Sequence, residues 1–420
     1  MDKLVVKGGG RLSGEVSISG SKNAALPILA ATLLTDEKCI IKNVPQLRDV
    51  LTMIKILRAL GVKVQITDNV IEVKPAHYKE HTAPYKLVST MRASICVLGP
   101  LVAKKGYAHV SMPGGCIIGP RPIDLHLKGI KALGVDVKIE HGYVKARAKH
   151  LTGNNIYLGG PFGSSVLATA NVMMAATRAR GRTIIENAAC EPELDDLSEF
   201  LKKMGARIKG AGTPLVEIEG VKKLGGATHT IIPDRIEAGT YMVAGAMTRG
   251  DITIKGARFD HLGAVVDKLR EAGVDVTNEG QNIKIRCRHS LKPINVTTLP
   301  YPGFPTDMQA QIMALMAITD GICVMTEKIY PDRFMHISEL NRMGAQIIKE
   351  GPSAIVRGVG HLSGAPVMAS DLRASAALVL AGLVAKGKTE ISRVYHLDRG
   401  YDKIEEKILR LGGNIHREKE

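Results

Sequence analysis

At 420 residues the chain exceeds what one hydrophobic core usually organises, and 45% hydrophobic with 23% charged residues describes an ordinary globular protein. No Trp and only 4% aromatic residues argue against stacking on sugars or bases as the main mode of recognition. The 57 Lys and Arg against 41 Asp and Glu leave a net charge of +16, which fits an anionic partner or a solvated basic surface; without a basic tail or charge block, it disfavours nucleic acid.

The longest apolar runs, AALPILAATLL and ASAALVLAGLVA, fall well short of the roughly 18 residues of a membrane span, so no membrane partner is expected. The opening MDKLVVKGGGRLSG lacks the apolar core and cleavage site of a signal peptide, which makes the cytoplasm the expected location. Six cysteines without a CxxC pair predict neither a disulfide framework nor a metal site.

In chain order, the leucine-turn strand GRLSGEVSIS leads into the apolar helix NAALPILAATLL, the β-rich run TDEKCIIKNV and the helix end LRALGVKVQI. That helix–glycine–strand ending returns as IKALGVDVKI, LKKMGARIKG, LREAGVDVTN, LNRMGAQIIK and LRLGGNIHRE, with a period of roughly 70 residues. Five further apolar helices keep the same period: ASICVLGPLVA, LATANVMMAATRA, EAGTYMVAGAMTR, QAQIMALMAIT and ASAALVLAGLVA. Helices apolar on every side are buried ones. The leucine-turn strand recurs in KHLTGNNIYL, KKLGGATHTI, HSLKPINVTT and HLSGAPVMAS.

The reading is an α/β protein of six βαβαββ repeats. The last repeat lacks its leucine-turn strand while a spare copy stands at the start, so residues 1–21 are expected to complete the last repeat. Two domains follow, 22–232 and a discontinuous 1–21 plus 233–420, with the cleft between them as the expected binding site.

The buried helices start in GSKNAA, STMRAS, GSSVLA, PDRIEA, PTDMQA and SDLRAS. Polar caps belong there, but Lys22, Arg92, Arg235 and Arg373 oppose the helix dipole. They point either to a shared anionic ligand or to pairing with local acids such as Asp234 and Asp371; Lys22 has no acid beside it. Gly382 to Thr389 spells the phosphate-loop pattern GxxxxGK[ST], but the predicted order is helix then strand, the reverse of what that motif requires.

Cys116 stands in SMPGGCIIGPRPIDLH, a connection between a strand and a helix beginning near Ile123. Gly114, Gly115 and Gly119 permit unusual backbone angles, and Arg121 would favour a thiolate, so these residues fit either an inert thiol in a turn or a reactive one.

PGGCIIGPRPIDLH, together with SGSKNAALPILAA, MRAS, IIENAACEPE, FPTDMQAQ, DRFMH, ASDLRAS and HLDRGY, resembles the UDP-N-acetylglucosamine 1-carboxyvinyltransferases of the enolpyruvyl transferase family over essentially the whole chain. The resemblance implies a two-domain inverted α/β barrel. It further implies transfer of the enolpyruvyl group of phosphoenolpyruvate to the 3′-hydroxyl of UDP-N-acetylglucosamine, with no metal or organic cofactor. By the same resemblance Cys116 is the proton donor and the site of a phosphoenolpyruvate-derived adduct, and Asp307 accepts the hydroxyl proton. Lys22, Arg121 and Arg399 hold phosphoenolpyruvate. Asn23, Arg92, Arg121, Pro122, Ile123, Asp124, Leu125, Asp307 and Ile329 contact the nucleotide sugar, while Arg333, Asp371 and Arg373 support closure and the intermediate. Leu167 stands where the family more often has glycine, a departure bearing on the nucleotide contacts from Gly163 to Val166. His126 matches the family loop but reads as a structural partner. The related shikimate-pathway transferases share the chemistry without such a cysteine loop.

Overall fold

A computed structural model describes residues 2–76, 78, 80–114 and 123–419. The chain divides into two compact units, one of residues 20–114 and 123–232, the other of residues 2–19 and 233–419. Each encloses a single apolar core.

Among the described residues each unit carries three four-stranded sheets built to one plan. In the third repeat, Asn155–Tyr157 runs parallel to Arg182–Glu186, which pairs antiparallel with Leu215–Glu219, itself antiparallel to Arg207–Lys209. The parallel pair needs a crossover, and the helix Val166–Ala176 supplies it. Pro192–Lys203 then leads to the antiparallel pair, its buried residues Leu194, Leu197, Phe200 and Leu201 following helical spacing.

The crossover helices are the apolar ones. All nine residues of Gln309–Ala317 are buried, as is everything from Ile236 to Met247 in the helix Arg235–Met247 and from Arg373 to Leu383 in Leu372–Val384. In the second repeat the run divides into a 3-10 helix, Arg92–Val97, and an α-helix, Leu98–Lys105. Pro100, which has no amide to donate, falls in the first turn of the α-helical part. The phosphate-loop lookalike spans the end of Leu372–Val384 and the start of the strand Lys388–Ser392, helix then strand as the sequence indicates.

One expectation is corrected. The strand that completes the last repeat is Asp2–Lys7, paired antiparallel between Lys388–Ser392 and Asn414–Lys419. The leucine-turn strand Ser13–Ser17 instead runs parallel to Asp251–Lys255 and opens the fourth repeat. Leucine-turn strands therefore begin repeats and do not end them: Val296–Thr298 opens the fifth and Pro366–Met368 the sixth. Thr228–Thr230 returns to pair in parallel with Cys39–Lys42 of the first repeat. The second repeat, which has no leucine-turn copy, opens with the two-residue strand Thr82–Ala83.

Candidate active site

In the unit of residues 20–232, Lys22 is the first residue of the helix Lys22–Ala31, capped by the Ser21 hydroxyl, which accepts from the Ala24 amide. Its buried Nζ lies 3.1 Å from Asp49 Oδ2, an acid 27 residues further along the chain. Asn23 and Arg92 are half-buried, each in the first turn of its helix. Ile123 is buried, Asp124 is exposed as the first residue of Asp124–Ala132, and Leu125 is half-buried. A Cβ on Gly160 would stand 3.2 Å from Leu125 Cδ1, so the ribbon formed by Gly159–Gly160 and Gly163–Ser164 lies against that side chain. Leu167 packs part-buried against the core. Cys116, Arg121 and Pro122 lie outside the described residues.

His126 is buried beneath this face, with Nδ1 3.0 Å from Asn171 Nδ2. Asn171 Oδ1 accepts from the Gly99 amide at 2.6 Å, and Nδ2 also donates to the Ile95 carbonyl at 2.9 Å. The Gly99 amide fixes which way the side-chain amide points, so His126 Nδ1 must be an unprotonated acceptor. Burial, then the Arg92 charge, push the imidazole down to about 3. It is a neutral, structural histidine.

The second group stands in the other unit. Asp307 sits in the 3-10 turn Thr306–Met308 and is held by two guanidinium groups. Arg333 Nη1 donates to Oδ1 at 2.8 Å; Arg373 Nε and Nη2 donate to Oδ2 at 3.2 and 2.9 Å. The side chains of Arg333 and Arg373 are 6% and 1% exposed, but that of Asp307 is 27% exposed, so the carboxylate is the reachable end of an otherwise buried cluster. Burial opposes the charge on both arginines, and Asp307, the strongest of their acidic neighbours, together with Asp371 for Arg333 and with Tyr401 and Asp234 for Arg373, more than offsets it.

Asp371 is buried and caps Leu372–Val384, accepting from the amides of Arg373 and Ala374 at 2.7 and 3.1 Å. Arg373 thus pairs with a distant acid, not the adjacent one. Arg235 stacks over Tyr301 at 5.4 Å, while Asp234 caps the helix that Arg235 starts. Arg399 ends the 3-10 helix Val394–Arg399 half-buried, close enough that its charge, after burial, lowers His396. Ile329 is half-buried, with its amide bonded to Glu327 at 2.9 Å. Asp49, Asn171 and Glu327 are polar residues of these clusters that local sequence does not reveal, because each meets partners remote in the chain or bonds to backbone. Among the described residues no helix is long and apolar enough to cross a membrane.

Residues 6–408 match the EPSP synthase (3-phosphoshikimate 1-carboxyvinyltransferase) family. The UDP-N-acetylglucosamine 1-carboxyvinyltransferase of Geobacter metallireducens is 55% identical over 420 residues, covering 100% of both chains. The chain belongs to the UDP-N-acetylglucosamine 1-carboxyvinyltransferase family. Another carboxyvinyltransferase of that name, from Caldanaerobacter subterraneus, is 55% identical over 99% of each chain. The enolpyruvyl transferase NikO from Streptomyces tendae superposes with a TM-score of 0.90 at 26% identity, over 99% of both chains. The EPSP synthase of Acinetobacter baumannii shares the fold with a TM-score of 0.77 at 18% identity, covering 100% of each chain. This carboxyvinyltransferase family member therefore has the enolpyruvyl transferase fold, the architecture its six repeats imply.

Proposed function

We propose that this chain transfers the enolpyruvyl group of phosphoenolpyruvate to the 3′-hydroxyl of UDP-N-acetylglucosamine with release of phosphate, the first committed step of peptidoglycan synthesis in the cytoplasm. The observation that carries the reading is the 55% identity over all 420 residues to a protein named for this reaction. The basic balance of the chain suits two anionic substrates.

In the addition step, Cys116 gives its proton to the methylene carbon of phosphoenolpyruvate while the sugar 3′-oxygen bonds to the adjacent carbon and Asp307 takes the hydroxyl proton. The tetrahedral product then gives a methyl proton back to the Cys116 thiolate left by the addition and expels phosphate, restoring the double bond. Lys22, Arg121 and Arg399 hold the phosphoenolpyruvate anion. Fixed cations stabilise charge that develops in such an intermediate. Asn23, Arg92, Arg121, Pro122, Ile123, Asp124, Leu125 and Ile329 receive the nucleotide sugar. The Cys116 thiol also adds across the same double bond, its sulfur bonding to the phosphate-bearing carbon as the methylene carbon takes up a proton, which gives the covalent adduct.

Asp307 is supported in its role by its geometry. Two guanidinium groups fix its plane, and its exposure leaves it the member of the cluster that a hydroxyl can approach. The assay that tests the reading is phosphate release from phosphoenolpyruvate, expected with UDP-N-acetylglucosamine and not with shikimate 3-phosphate. The reverse preference overturns it. Fosfomycin, an epoxide, is expected to alkylate Cys116. Intact mass should rise by one drug adduct in the wild type and stay unchanged in Cys116→Asp.

A further inference from the structure

Glu327, fully buried at the end of the strand Ile322–Glu327, has an unusual set of partners. Its Oε1 accepts from the Thr298 hydroxyl at 2.6 Å and from the amides of Ile329 and Tyr330 at 2.9 and 3.0 Å. Oε2 accepts from the Thr306 hydroxyl at 2.9 Å. A buried carboxylate is costly to desolvate, and these partners are hydroxyls and amides rather than a cation. A packed apolar side chain would fill the same space without that cost.

The direction of the hydrogen bonds explains what the carboxylate accomplishes. Thr306 has one hydroxyl proton, and Glu327 takes it, so the Thr306 oxygen can only accept on its other side. There it accepts from Arg333 Nη1 at 3.0 Å, the same nitrogen that donates to Asp307 at 2.8 Å. Glu327 thereby sets the Thr306 proton, Thr306 sets the guanidinium, and the guanidinium sets Asp307. Through Oε1 the same carboxylate engages the Ile329 amide and so fixes the backbone at that half-buried residue.

We propose that Glu327 is a positioning residue for the nucleotide sugar, holding Asp307 and the Ile329 backbone in one frame. The proposal rests on the function given above. A glutamine at 327 keeps an oxygen for Thr298 and the two amides but turns a donor toward Thr306, reversing that bond and loosening Arg333.

The test uses the full-length chain with Glu327→Gln, Thr306→Val, Thr306→Ser and the Gln/Val double variant, with kcat and both KM values measured alongside thermal midpoints. Glu327→Gln and Thr306→Val should each lower kcat/KM for UDP-N-acetylglucosamine about tenfold, the loss expected for a hydrogen bond to a charged group. The KM for phosphoenolpyruvate should stay within about twofold, below what one hydrogen bond is worth. Thr306→Ser, which restores the hydroxyl, should recover wild-type constants, and the double variant should be no worse than the worse single one. Should Glu327→Gln not fold, the Thr306 pair carries the same comparison. Equal behaviour of Thr306→Val and Thr306→Ser, or a rise in the KM for phosphoenolpyruvate as large as that for UDP-N-acetylglucosamine, overturns the assignment of Glu327. A wild-type chain that transfers no enolpyruvyl group overturns the function itself, and the wild-type assay separates the two failures.

Discussion

Asp307 is held by two guanidinium groups, so its replacements separate charge from packing. Asp307→Asn keeps the shape and removes the carboxylate proposed above as proton acceptor; on that role kcat should fall at least about 100-fold, the usual worth of a general base, with KM values little changed. Asp307→Ala additionally leaves two buried guanidinium groups without their carboxylate and should cost about 3–5 kcal/mol in chemical denaturation. His126 predicts a pH effect. Its pKa is lowered on folding to about 3, so the unfolded chain binds the extra proton. The stabilisation is therefore full above the unfolded value of about 6.5 and is lost as pH falls toward 3, at about 1.4 kcal/mol per pH unit. His336 in the other unit, lowered to about 4 by burial and Arg333 against the pull of Asp371, adds a loss of the same sign. Thermal midpoints should thus drop below pH 6.5, and His126→Gln, which accepts from Asn171 without titrating, should flatten the slope. Sequence alone shows Arg373 as a cation misplaced at a helix start but not what answers it, since the carboxylate that does so stands 66 residues away. Asp49 is hidden from Lys22 for the same reason.

At the scale of elements, the pattern of residues was highly legible. A helix apolar all round cannot face water, so the period of such helices gives the buried crossovers directly. The exception is the second repeat, where Pro100 and Gly99 interrupt the run and a 3-10 segment replaces the first helical turns. Gly99 is there for space as well: a Cβ would stand 2.3 Å from the Asn171 carbonyl oxygen and 2.6 Å from its Oδ1. Alanine is the better helix former by about 1 kcal/mol, but the clash is with backbone, and overpacking costs about 1–3 kcal/mol. Gly99→Ala should therefore destabilise the protein in a urea titration and disturb His126 through Asn171. The short strand Thr82–Ala83 has no signature because two residues carry no alternation to read.

Across the whole molecule, the sequence period shows how many repeats there are but not which strand each sheet takes as its first, because a strand carries no label for its partner. The structure resolves this by pairing: Leu4 of the strand Asp2–Lys7 faces Ile391 on one side and Arg417 on the other, and it is fully buried. Leu4→Ala should cost about 2–5 kcal/mol, whereas Ile66→Ala on an exposed position of an edge strand should change stability by no more than about 0.5 kcal/mol. The borrowed strands also impose an order in time. Thr228–Thr230 closes the first sheet of its unit, so every strand of residues 20–232 has left the ribosome once that segment emerges. Asp2–Lys7 is made well before its neighbours, which lie only in residues 388–419. At roughly 5–20 residues per second, that strand waits on the order of tens of seconds for its partners during translation. A strand synthesised ahead of the whole 20–232 unit is thus paired only after that unit is complete.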